Sequence, residues 1–136
     1  MTTVLWLRIS SVIALLFAAG HSLGGLKYWS PMGENPVLKS MREIHFDTLG
    51  VSRSYLDFYM GFGYSLTVAQ VMQAALLWQI ATLARNDVPH LRPMIAVIAL
   101  ANLAGAIIAW QFILPIPAIF ALVQLACLTA AYAFAK

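Results

Sequence analysis

Four apolar stretches, each near or beyond the roughly 20 residues that a helix needs to cross a bilayer, leave this chain few folds to choose from. They run from Val4 to about Gly24, from about Ser54 to Ala84, from Pro93 to Leu114 and from about Pro117 to Ala135. Together they take up most of a chain of 136 residues. The composition agrees: 62% of the residues are hydrophobic and 10% charged, against about 45–50% and about 25% in a soluble domain. A core of this size cannot bury that excess, because small domains keep much of their surface exposed. The expectation is an all-α protein: one integral membrane domain over residues 1–136, built as an antiparallel four-helix transmembrane bundle.

The flanks of each stretch fit this reading. Arg8 lies near the start of the first, where a long cationic side chain can snorkel. The second is long enough for its first two turns to project beyond the hydrocarbon. Pro93 suits a first helical turn, and "LPIP" between the last two stretches permits only a tight turn, so those helices are antiparallel neighbours. Trp6, Trp29, Trp78 and Trp110 fall near helix ends, as in an aromatic belt. Arg8, the apolar run from Val12 to Phe17 and the small residues after it also match a secretory leader; the expectation adopted is a retained span. Ala14 with Ala18, and Ala101, Gly105 and Ala109, recur every four residues. That spacing lets helices approach closely or form a homo-oligomer contact through the first and third spans.

Charge excludes some partners and does not orient the chain. The formal net charge is +3, yet the basic residues are scattered singly, without the stripe that a nucleic-acid surface needs. No nucleic-acid partner is expected; membrane lipid is. Arg8, Arg85, Arg92 and Lys136 flank one side of the four spans, and Lys27, Lys39, Arg42 and Arg53 the other, so the positive-inside rule is tied. The orientation adopted is both termini cytoplasmic, in a bacterial inner membrane. Cys127 is the sole cysteine, which excludes an intramolecular disulfide and a cysteine-based metal site. No metal or other cofactor is expected.

Chemistry is concentrated after the first span. "ENPVLKSMREIHFDTLG" predicts a short amphipathic interfacial helix over about residues 36–49, with Asn35 as N-cap, Pro36 at the first position and Gly50 as a left-handed stop. Val37, Met41, Ile44 and Thr48 would form its apolar stripe and lie on the membrane surface, with Phe46 packing against the loop. Ser52 is positioned to cap the second span. Arg53 and Asp57, four apart, can pair along a helix face. Asp57 is the acid most deeply committed to an apolar segment, where a carboxylate needs a partner and is a functional candidate.

With Glu43, His45 and the helix-end His21, Asp57 makes a catalytic acid–base set. Arg53, Tyr59, Asp47, Gln70, Gln73 and Asn102 are the corresponding substrate-binding residues. The bland alternatives are a structural Arg53–Asp57 pair, hydrogen-bonded histidines, and amides that join helices. "GHSLGG" satisfies the G-x-S-x-G of a hydrolase nucleophile elbow, but that elbow needs a strand before its serine. Here an apolar helix precedes it, so Gly20 and Gly24 are read as a close-packing face where the first span ends. Gly61 and Gly63 permit a similar approach.

Residues "GHSLGG", "FDTLG" and "RSYLDFYMGFGYSL…ALLWQIA" resemble small, uncharacterised bacterial four-helix integral membrane proteins. The resemblance implies a shared fold and a site around the first loop and the start of the second span, and it brings no activity. The architecture also suggests the trimeric glutathione-using membrane enzymes and the sterol-isomerase-like proteins, but neither group's motif residues occur here. Two functions remain open. One is a polar site at one end of the bundle that binds a lipophilic small molecule, with or without acid–base transformation of it. The other is a non-catalytic membrane subunit or assembly factor packing through small-residue helix faces.

Overall fold

Four long helices carry the chain in a computed structural model that describes residues 2–26, 30, 32–86 and 88–135. Helix α1 (Thr2–Gly20) continues into a π-helical turn at His21–Leu26. A short α2 (Pro36–Glu43) and a hairpin of β1 (His45–Thr48) and β2 (Val51–Ser54) lead into α3 (Tyr55–Leu83). A single 3-10 turn (Pro89–Leu91) opens α4 (Arg92–Phe112), and α5 (Pro115–Phe134) follows after two residues. By length and composition, four stretches can cross a membrane: Thr2–Leu26, Tyr55–Leu83, Pro89–Phe112 and Pro115–Phe134. Their bounds lie within four residues of the expected spans. The expected roles of Lys27, Trp29 and Lys136 fall outside the described residues.

The chain packs as two compact units, Met1–Phe17 with Gln70–Lys136 and Ala18–Ala69. In the first, Leu7, Leu77, Ile95 and Leu128 are fully buried, and α1, α3, α4 and α5 all contribute to one apolar cluster. Trp6 packs against this cluster. Helices α4 and α5 run alongside each other, as the short connection requires. Polar groups tie the helices together: Ser11 Oγ donates to the Ala74 carbonyl at 2.7 Å. Gln73 Nε2 donates to Gln124 Oε1 at 3.1 Å, and Gln124 Nε2 donates to the Ser10 carbonyl at 3.0 Å. A buried amide with its partners in place stabilises a helix contact by about 0.6–2 kcal/mol in a membrane setting.

The small-residue stripes are corrected in part. Ala14 and Ala18 are buried, but Ala101 and Gly105 are exposed, and α4 turns Ile95, Asn102, Ala106 and Ala109 inward instead. A Cβ added at Gly20, Gly24 or Gly105 would meet nothing within 4 Å. The close-packing glycines are elsewhere, as described below.

In the second unit, Asn35 caps α2 as expected, its Oδ1 accepting from the Val37 and Leu38 amides at 3.0 and 3.1 Å. The expected interfacial helix over 36–49 is not found. Helix α2 ends at Glu43 because Ile44 turns extended (φ −82°, ψ 119°). Residues 45–54 then pair antiparallel, His45 with Ser54, Phe46 with Arg53, Asp47 with Ser52 and Thr48 with Val51. Leu38 is buried, whereas Val37, Ile44 and Thr48 of the expected stripe are exposed. Phe46 does pack as foreseen: its ring lies 5.3 Å from Tyr55 and 5.7 Å from Phe58, against the first turns of α3.

The hairpin turns on Leu49 (φ 54°) and Gly50 (φ 78°). Two consecutive positive φ angles in a two-residue loop make a type I′ turn, which favours Asn-Gly. A leucine there is strained, and this one is 99% exposed. Leu49→Asn is therefore expected to stabilise the hairpin by about 0.5–1 kcal/mol, read as slower amide exchange across β1 and β2. Unchanged exchange would mean that the turn is not strained.

Candidate functional site

The "GHSLGG" stretch forms the most constructed polar feature of the second unit. A π-helical turn widens the helix, is rare, and is frequent at functional sites. Here Ser22 donates to the Ala18 carbonyl at 2.8 Å, one turn back. His21 Nε2 lies 3.1 Å from the Gly63 carbonyl of α3. A carbonyl can only accept, so Nε2 carries a proton. One glycine makes room for the ring: a Cβ at Gly25 would come within 3.1 Å of His21 Nδ1. One at Gly63 would collide with the Leu26 side chain and reach 3.9 Å from Nε2.

Thr67 completes the arrangement. Its hydroxyl lies 3.1 Å from Ser22 Oγ and 3.4 Å from the Gly63 carbonyl. Ser22 has committed its proton to Ala18, so the shorter contact is Thr67 donating to Ser22. These bonds dispose of the hydrolase elbow on local grounds. Ser22 Oγ gives its proton to a main-chain carbonyl, and the neighbouring imidazole bonds to Gly63.

The acid–base residues of the loop are brought together in part: His45, paired in register with Ser54, and Arg53 lie within charge-interaction range of Asp57. Asp57 sits in a reciprocal capping box: the Ser54 amide donates to its Oδ2 at 3.0 Å, and the Asp57 amide donates to Ser54 Oγ at 3.0 Å. Such a box satisfies two amides that a helix start otherwise leaves open. The capping residue is thus Ser54 and not Ser52. The expected helical Arg53–Asp57 pair is also corrected: Arg53 lies in β2, and its guanidinium donates to the Ser52 carbonyl at 2.8 Å.

His45 and Asp47 are exposed and share one face of the hairpin, and His45 Nδ1 donates to the Glu43 carbonyl at 2.9 Å. Glu43 pairs loosely with Lys39 at 3.9 Å on the surface, and Tyr59 is exposed. Ser54→Ala is expected to cost about 1 kcal/mol. A drop in the thermal midpoint with unchanged ligand binding would fit a structural cap. Loss of binding at unchanged stability would restore Asp57 to a functional role.

The amides of the first unit have mostly found structural partners. Gln73 bonds to Gln124, and Asn102 Nδ2 donates to the Ile98 carbonyl of its own helix at 2.8 Å. Gln70 differs, since its Oε1 is buried without a hydrogen-bond partner. An apolar groove of about 520 Å³ opens between α4 and α5, lined by Leu103, Ile107, Trp110, Gln111 and Leu122 among others. None of the expected site residues lines it.

Among the described residues, no group of three or more His, Cys, Asp and Glu side chains is arranged to hold a metal ion. Sequence reasoning missed the roles of Gly25, Thr67 and Ser54, while the close approach expected at Gly63 is met by Leu26. The readable signal among them was Ser54-x-x-Asp57, a capping-box spacing. Compared with known proteins, the chain matches no family model, no curated protein and no solved structure.

Proposed function

We propose that this chain is a four-span integral membrane protein, packed as an antiparallel bundle, that binds a lipophilic small molecule where α1 ends, with His21 as the polar contact. The observation that carries this reading is the seat of His21. The π turn and the bare Cα of Gly25 leave room for an imidazole that lies 3.1 Å from a main-chain carbonyl. Ligand sites in apolar surroundings characteristically combine a few fixed polar groups with hydrophobic walls.

Acid–base catalysis by Glu43, His45, Asp47 and Asp57 has less support, because Asp57 is a helix cap and the other three are exposed on the surface. The membrane is read as a bacterial inner membrane. Both termini are read as cytoplasmic because the basic residues of the first loop, which tie the count, can serve another role there.

The test is native mass spectrometry of the full chain with lipid extraction. The expected result is a specific lipophilic molecule that copurifies, is lost in His21→Ala and is kept in Asp57→Asn. If the wild type retains nothing, the binding reading fails. A second reading, a non-catalytic subunit or homo-oligomer joined through α1 and α4, is favoured by the open faces at Gly20, Gly24 and Gly105. A stable multimer that Gly105→Leu disrupts would support it.

A further inference from the structure

The groove of about 520 Å³ between α4 and α5 changes character along its length. Ala106 and Ala118, both buried, line its floor, and the exposed side chains of Leu103 and Leu122 line its inner part. Its outer end holds Trp110 and Gln111, which lie in the last turn of α4. Two alanines between larger side chains on either wall leave a trough where a close-packed helix contact would otherwise be filled.

Length and polarity constrain what the trough can take. From Leu103 to Gln111 a helix rises about 12 Å, at 1.5 Å per residue. One leaflet of a bilayer contains about 15 Å of hydrocarbon, half of the roughly 30 Å core. The polar end falls where a span leaves the hydrocarbon, since α4 ends at Phe112 and α5 begins at Pro115. There Trp110 brings an indole N–H and Gln111 an amide with two donors, whereas the inner end offers only carbon. An occupant that fits is apolar over most of a leaflet's depth and accepts hydrogen bonds at the membrane edge. An acyl chain joined to its glycerol through an ester carbonyl meets both conditions.

We propose that this groove seats one acyl chain of a membrane phospholipid, with the ester carbonyl at its head accepting from Gln111 or Trp110. Bilayer lipid touches every span, but a walled trough with donors at one end gives this lipid a fixed place and keeps it on the chain in detergent. The site rests on the reading of α4 and α5 as spans and is independent of His21.

The experiment is native mass spectrometry of the full chain in detergent, with ester-linked phosphatidylethanolamine and its ether-linked analogue, which lacks the carbonyl, as probes. Wild type is expected to retain the ester lipid about tenfold better than the ether lipid. Gln111→Leu should lose most of that preference. Leu122→Trp, which fills the trough, should lose about tenfold of the retention of both lipids. Val97→Trp, at an exposed position of α4 outside the groove, and His21→Ala should both match wild type.

Equal retention of the two lipids by wild type overturns the proposal, as does unchanged retention in Leu122→Trp. A dimer without lipid that Leu122→Trp disrupts also overturns it, and gives the groove to a second copy of the chain. If Leu122→Trp fails to fold, Leu103→Trp blocks the trough from the α4 wall and decides in its place. Carbonate-washed membranes from the same cells separate the two levels of failure. Chain that stays in the membrane but keeps no lipid strikes this site alone, whereas chain that washes out strikes the spanning reading.

Discussion

Replacing Leu100 with aspartate is expected to remove most of the protein from the membrane fraction. Leu100 lies near the middle of α4 and is 64% exposed, and no charged residue follows Arg92 within that helix. On the scale set by membrane insertion, moving from leucine to aspartate at a helix centre costs about 3–4 kcal/mol. That is enough to shift insertion more than about a hundredfold.

The sign of the effect depends on the surrounding solvent. If α4 faced water, an exposed leucine exchanged for a carboxylate would change stability by less than about 0.5 kcal/mol and would raise solubility. Membrane fractionation with a carbonate wash, or glycosylation mapping of inserted chains, separates the two cases. Normal insertion of Leu100→Asp would reject α4 as a span. The buried Ile95 offers no such discrimination, since aspartate there would be penalised in either solvent. The same logic extends to Val97, Ile107 and Ile119, which are also well exposed. Apolar surface on this scale exceeds what a soluble monomer ordinarily leaves uncovered.

The four long apolar helices were legible because a single variable, the length of an apolar run, sets them. Punctuation at Asn35 and Pro36 was equally plain, because a side-chain cap followed by proline has few other uses. The hairpin was not legible, for an identifiable reason. Val37, Met41, Ile44 and Thr48 happen to recur at helical spacing, and Gly50 serves as well for a helix stop as for a type I′ turn. Leucine is a poor turn residue, so nothing at position 49 announced a reversal. Short segments of this kind are decided by tertiary contact, here Phe46 against Tyr55 and Phe58.

The candidate site was half visible. His21 was identified as the residue delivered at the helix exit, but its partner is the Gly63 carbonyl, and a main-chain atom has no signature in sequence. Glycine spacing misled in the same way. Gly20 and Gly24 fit G-x-x-x-G and face open space, whereas Gly25 makes room for the His21 ring and Gly63 for Leu26. Spacing along a helix says which residues share a face, not what that face meets. At Asp57 two local patterns competed, Arg53 four residues before it and Ser54 three before it. The second prevails because Arg53 belongs to a strand.

Gly61 and Gly63 offer the sharpest internal comparison, being two residues apart in the same helix. A Cβ at Gly61 meets nothing within 4 Å, while one at Gly63 collides with Leu26, itself buried. Glycine inside a helix is less favourable than alanine by about 0.5–1 kcal/mol, so Gly61→Ala is expected to stabilise α3 by that amount. At Gly63 the same gain is offset by displacing Leu26, and alanine should be neutral or destabilising.

Leucine separates the sites further. Gly61→Leu should be tolerated, whereas Gly63→Leu must push aside both Leu26 and His21. Overpacking of this kind costs about 1–3 kcal/mol, and the Nε2 bond to the Gly63 carbonyl is lost with it. Thermal unfolding in detergent measures the first effect; the imidazole nitrogen chemical shifts of His21 measure the second. Gly25→Ala, which crowds the ring at Nδ1 without touching α3, should shift the same nitrogens while costing less stability. Equal midpoints for Gly61→Leu and Gly63→Leu, with unmoved His21 shifts, would show that the imidazole is not seated against α3. The reading of His21 as the polar contact of a ligand site would then lose the observation it rests on.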